Sequence, residues 1–119
     1  MSIEENKARI QRFFSEVVGQ GNLETVDELI ASNCRYFDAG IVRSTSISEF
    51  IDYLIEARLP FESINVKIDN IIAEGNHVAV RCSYHLMLEG EHSMVPVMAD
   101  FRIEEGKIVE MWRTVAALS

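Results

Sequence analysis

The chain has 119 residues and carries 19 acidic against 11 basic side chains, a net charge of −8. That length fits a single domain over residues 1–119 with a core of its own. The acid excess excludes nucleic acid and anionic membranes as natural partners, because neither gains anything from an acidic surface.

The opening MSIEENKARI is polar and acidic and does not read as a signal peptide. No apolar run approaches the ~18 residues of a membrane span, so a cytoplasmic location is expected. Cys34 and Cys82 form no CxxC pattern and read as small buried hydrophobes of a reducing compartment.

In chain order, NKARIQRFFSEVVGQG places Ile10, Phe13, Phe14, Val17 and Val18 on one stripe, which predicts an amphipathic helix stopped by Gly19 and Gly21. NLETVDELIA predicts a second, short helix on Leu23, Val26, Leu29 and Ile30, capped by Asn22. CRYFDAG is a short β-prone run closed by Gly40. SISEFIDYLIEARLP predicts a third helix, with Ser46 and Glu49 at capping-box spacing and Pro60 ending it. The period then changes from 3.6 to 2. SINVKID, HVAVRCSYHLML and two later runs alternate as strands, separated by EGNH, EGEH and EEGK turns. The expected architecture is α+β: three N-terminal helices packed on a curved antiparallel sheet. A curled sheet closed by helices leaves a conical cavity suited to a small molecule.

Three stretches, GQGNLETVDELIASNCRYFD, IIAEGNHVAVR and FRIEEGKIVEMW, resemble the NTF2-like superfamily and within it the SnoaL-like proteins, relatives of polyketide cyclases and ketosteroid isomerases. The resemblance covers nearly the whole chain. Its most specific motif is Asp-x-Phe-Arg, an acidic turn, then Gly-Lys-Ile-Val-Glu-His-Trp. It implies the NTF2-like cone. It leaves the chemistry open, because the fold hosts isomerases, cyclases, hydrolases and non-catalytic binders.

The resemblance carries three functional positions of isomerase-type members onto this chain. The general-base aspartate falls on Asp38, a helix tyrosine falls on Phe14, and a protonated aspartic acid falls on Ala99. Neither Phe14 nor Ala99 has a side-chain donor, so an ordinary ketosteroid-type isomerase is disfavoured. Met111 replaces the motif's histidine. Asp100 lies one residue from the expected place, and strand alternation sets it on the outer face with Met98 and Arg102.

Asp38 follows Tyr36 and Phe37, so it is the candidate general base. A carboxylate stripped of water and without a cation takes up protons more readily. The competing reading is a turn aspartate before Ala39-Gly40. Arg113 or Arg81, if strand register brings either inward, would make Asp38 an anchoring ion pair instead. His85 is a weaker acid–base candidate. The predicted ligand-binding wall is Phe14, Val17, Tyr53, Val97, Phe101, Val109 and Met111. No residue set has metal spacing and no cofactor is expected. The expected function is binding of a small apolar or aromatic molecule, with isomerase- or cyclase-type chemistry on a carbonyl substrate as a further option. A non-catalytic ligand-binding or dimerisation domain is the alternative. A homodimer through the sheet is expected on Met94, Met98, Tyr84, Leu86 and Trp112, since a small monomer should not leave such a patch open.

Overall fold

A computed structural model describes residues 2–116. Helix α1 spans Ile3–Arg12 and starts at Ser2, whose hydroxyl accepts from the Glu5 amide at 3.0 Å. The helix does not keep its 3.6 period to Val18. Over Phe13–Val18 it widens, and the Gly19 amide reaches back five residues to the Phe14 carbonyl at 2.9 Å. Such widened turns often sit at functional sites. Here the turn carries Phe13, Phe14 and Val17 into the interior.

Helix α2, Leu23–Leu29, is capped by the Asn22 side chain, which accepts from the Glu24 and Thr25 amides at 3.0 and 3.3 Å. Ile30 already belongs to strand β1, Ile30–Asp38, rather than to the helix stripe. Strand β2, Ile41–Ser44, was not predicted. It pairs back on β1 through Ala39-Gly40, both in the left-handed region with φ of 51° and 81°. That is the twist a two-residue hairpin needs. Helix α3, Ile47–Arg58, is capped by the Ser46 hydroxyl on the Glu49 amide. Glu49 itself reaches Thr45 rather than completing the capping box on Ser46. Pro60 follows, as read from the sequence.

Four long strands then run as a meander: β3 Ser63–Glu74, β4 His77–Leu88, β5 Glu91–Glu104 and β6 Lys107–Val115. The sheet order is β2-β1-β6-β5-β4-β3. The expectation of a wholly antiparallel sheet is corrected here. β1 runs parallel to β6, with Tyr36 beside Met111, Phe37 beside Trp112 and Asp38 beside Arg113. The helical crossover through α3 and the meander returns the last strand in the same direction as β1, which makes the sheet mixed. Pairing irregularities at Ile68/Asn70 and Arg102/Ile103 fall within the curved, unclosed sheet.

The three helices cover the concave face. On β4 the inward set is Val78, Val80, Cys82 and Tyr84, and on β5 it is Val95, Val97, Ala99, Phe101 and Ile103, all buried. Both cysteines are buried and unbonded to each other. Burial of a side chain of this size contributes about 1.5–3 kcal/mol, so this continuous strip holds the helices on the sheet. The fold is the NTF2-like α+β cone.

Candidate functional site

Between the helices and the concave sheet face lies a cavity of about 220 Å³. That is below the ~300–1,000 Å³ of drug-sized sites, so it matches a one- or two-ring compound. Most of its wall is apolar. The widened turn supplies Phe13 and Phe14, α3 supplies Phe50 and Leu54, and the strands supply Ile64, Ala99, Phe101 and Met111. Phe14 stands edge-on to Phe101 at 5.6 Å between ring centres.

One part of the wall is polar, and it is built by strand register. Asp38 on β1 lies beside Arg113 on β6. An Arg113 terminal nitrogen, Nη2, donates to Asp38 Oδ2 at 2.8 Å and to the Tyr53 hydroxyl at 3.0 Å. The guanidinium carbon lies 5.6 Å from the Tyr36 ring centre and 5.9 Å from that of Tyr84, both favourable for a cation over an aromatic face. Arg113 Nε is buried with no hydrogen-bond partner among the described residues.

The charges are settled by this geometry. Burial works against the Arg113 charge, but the oxygens of Tyr84 and Tyr36 and the bond to Asp38 outweigh it and hold the guanidinium protonated. Burial pushes the Tyr84 phenol up to about 12 and raises Tyr36 further. Both therefore keep their protons at neutral pH and stand as hydroxyl donors. The Asp38 and Arg113 side chains keep only 18% and 22% exposure, so their pairing is screened far less than a surface pair. The polar patch around Arg113 is thus a set of donors, and the carboxylate beside it, Asp38, is already bound to the Arg113 cation.

Of the residues proposed from the sequence for the ligand wall, Phe14, Tyr53, Phe101 and Met111 line this cavity, and Val17, Val97 and Val109 do not. Val17 and Val97 are fully packed in the core beneath it. Val109 is displaced by the irregularity on β6: Ile103 pairs with Ile108 and Arg102 with Glu110, so Val109 is the extra residue and the inward set restarts at Met111. Asp38 lies behind Arg113 rather than on the cavity surface.

His85 faces the other way. It sits on the outer sheet face, bonded to Ser83 and, at 3.1 Å, to His92. Its parity with Ser83 and Arg81, opposite to Tyr84, puts it out of reach of the cavity. Asp100 also lies outside, 3.7 Å from His77 on the neighbouring strand. Tyr84 and Leu86, placed by the sequence reading on the outer face, line the cavity instead. The alternation Val78, Val80, Cys82, Tyr84, Leu86 carried that signal. Tyr36 and Arg58 were also missed. Tyr36 shares strand parity with Cys34 and Asp38, which could have placed it, whereas nothing local marks Arg58.

These features define a small, mostly apolar cavity with a patch of hydrogen-bond donors in an NTF2-like cone. The sequence matches the SnoaL-like domain family over residues 10–111, and the chain belongs to that family. No curated protein matches it significantly. Solved structures of the same fold are numerous. A candidate SnoaL-like polyketide cyclase from Jannaschia sp. CCS1 is 20% identical, with a TM-score of 0.84 over 97% of this chain and 88% of that one. An LEH-like epoxide hydrolase of M. tuberculosis is 18% identical, with a TM-score of 0.82 over 96% and 84%. A Catenulispora acidiphila protein of ketosteroid isomerase-like fold, solved with trimethylamine, is 18% identical, with a TM-score of 0.75 over 88% and 82%. At such identities the likeness shows the fold alone. No helix among the described residues is long and apolar enough to cross a membrane.

Proposed function

We propose that this chain binds a small apolar or aromatic carbonyl compound, with the rings in the phenylalanine-rich part of the cavity and the oxygen at Arg113, Tyr53 and Tyr84. The observation that carries this reading is the Arg113–Asp38 bond at 2.8 Å, set beside the tyrosine hydroxyls of an otherwise mostly apolar cavity. Its charge is already balanced, so it suits a neutral acceptor, and a ketone or ester oxygen is one. Asp38 orients Arg113, as a buried partner fixes a guanidinium in one geometry.

A second reading, isomerase- or cyclase-type chemistry, draws support from the same donors. Tyr84 and Arg113 are donors that would stabilise a developing oxyanion, in place of the side chains that Phe14 and Ala99 cannot supply. Against it stands Asp38, the one candidate base, with Oδ2 on Arg113 and no place on the cavity surface. The binding reading is the better supported. Proton exchange separates the two. With 2-acetylnaphthalene in D₂O, the expected result is binding detected by chemical-shift changes without Asp38-dependent deuteration of its methyl group. Deuteration that disappears in Asp38→Asn would establish the catalytic reading instead.

We also propose that two copies pair through the outer sheet face. The support is the exposure of Met98, Ile72, Met94 and Trp112 there, at 62, 61, 49 and 40%, an apolar share that a partner would cover.

A further inference from the structure

We propose that the ligand of this cavity is a keto acid: besides the neutral oxygen held at Arg113, it carries a carboxylate that Arg58 binds. This rests on the cavity being the small-molecule site proposed above. The charged side chains on the cavity wall are Arg58 and Arg113, both cationic, on a chain whose net charge is −8. They differ in one respect. Arg113 has Asp38 at 2.8 Å. Among the described residues no carboxylate lies within ion-pair distance of Arg58.

Arg58 is nevertheless held in place. Its Nη1 donates to the Val18 carbonyl at the end of the widened turn. Its stem lies over Gly21, where an added Cβ would come within 2.6 Å of Nε, and Gly21 adopts a φ of +66° that other residues rarely take. The bare backbone at Gly21 therefore makes room for this guanidinium. With Nη1 bonded to a neutral carbonyl, the cation has no compensating anion and keeps further donors in its planar fork. An unneutralised, pre-oriented guanidinium on a cavity wall is a carboxylate receptor.

The spacing gives the ligand a length. Tyr53, which marks the Arg113 end, and Arg58 are five residues apart on α3, about 7.5 Å along its axis. Two fused rings bearing a ketone at one end and a carboxylate at the other span that separation. Phe14, Phe61 and Phe101 line the cavity with the aromatic surface that such rings would meet.

The test is calorimetric titration of the full chain with 6-acetyl-2-naphthoate, its methyl ester, and 2-acetylnaphthalene. The acid should bind at least about tenfold tighter than the ester, since a hydrogen bond to a charged group is worth that much. In Arg58→Gln the acid should bind no tighter than its ester, and Arg58→Lys should restore part of the gap. Thermal melts of both variants check that the tie to Val18 is not needed for folding. The comparison in the unaltered chain stands whatever the variants do. If 2-acetylnaphthalene binds but the acid gains nothing over its ester, the keto-acid inference is overturned and the site reading survives. A gap that persists in Arg58→Gln also overturns it. If neither ketone nor acid binds, the site reading falls and takes this inference with it.

Discussion

Asp38 on the inner face of the sheet and Asp100 on the outer face each have a basic neighbour, yet the two pairs do different work. Asp38 meets Arg113 at 2.8 Å with about a fifth of either side chain exposed. Asp100 lies 3.7 Å from His77, and half of each side chain is open to water. The same residue type is an anchor in one place and a solvated charge in the other. The difference comes from strand parity, which assigns the face, and from the helices, which cover only one face. A second contrast sits on one strand: Arg113 enters the cavity wall, while Trp112 beside it stacks on Phe37 at 3.9 Å on the outside. Which side chains line the cavity is decided by which of them fall on the covered face.

The largest effect should come from breaking the inner pair. Arg113→Met leaves the Asp38 carboxylate without its cation. The expected loss is about 2–3 kcal/mol, somewhat below that of a fully buried pair because some exposure remains. Urea denaturation would read this as a lower midpoint at unchanged slope. A midpoint equal to that of the unaltered chain would mean the pair is solvated like the outer one.

A smaller effect, confined to the covered face, should appear at high pH. Burial raises the thiol of Cys82 from 9.0 to about 11 and that of Cys34 from 9.0 to about 12, and the Tyr84 phenol from 10.0 to about 12. Each group keeps its proton longer folded than unfolded. Their contribution is therefore complete below pH 9 and is lost as pH rises from there toward 12. The slope for each titrating group is about 1.4 kcal/mol per pH unit. Cys82→Ala should flatten the lower part of that decline, as followed by melts between pH 8 and 11. An unchanged slope would place the thiol in contact with water.

The smallest effect belongs to the outer pair. Asp100→Asn should change stability by at most about 1 kcal/mol, as exposed pairs do. It should also leave binding of 2-acetylnaphthalene untouched. On the same face, light scattering at micromolar concentration should give the mass of two chains, and Trp112→Lys should reduce it to one. A clean monomer mass for the unaltered chain would end the proposal of a sheet-face dimer.

Much of the architecture was legible because it rests on periodicity. The stripe Ile10, Phe13, Phe14, Val17 and the alternation Val78, Val80, Cys82 are local patterns that burial imposes on a helix and a strand. The parallel pairing of β1 with β6 was not legible, since no local pattern states which distant strand lies alongside. That pairing is what brings Asp38 and Arg113 together, so the sequence named the aspartate and left its partner conditional. Val109 was misplaced for a related reason: one extra residue in β6 shifts the inward set, and nothing in KIVEMW signals it. Arg58 was invisible because its meaning comes from Val18 and Gly21, some forty residues earlier and brought near only by packing.

In the proposed complex the Arg113 cluster anchors a ligand oxygen while Asp38 supports the guanidinium. A crystal structure of the chain with 2-acetylnaphthalene tests this most directly. The naphthalene rings should pack against Phe14 and Phe101, with the ketone oxygen at hydrogen-bond distance from Arg113 or from the hydroxyl of Tyr53 or Tyr84. A probe lodged on the outer sheet face, or seated in the cavity with its oxygen turned away from Arg113, would contradict it.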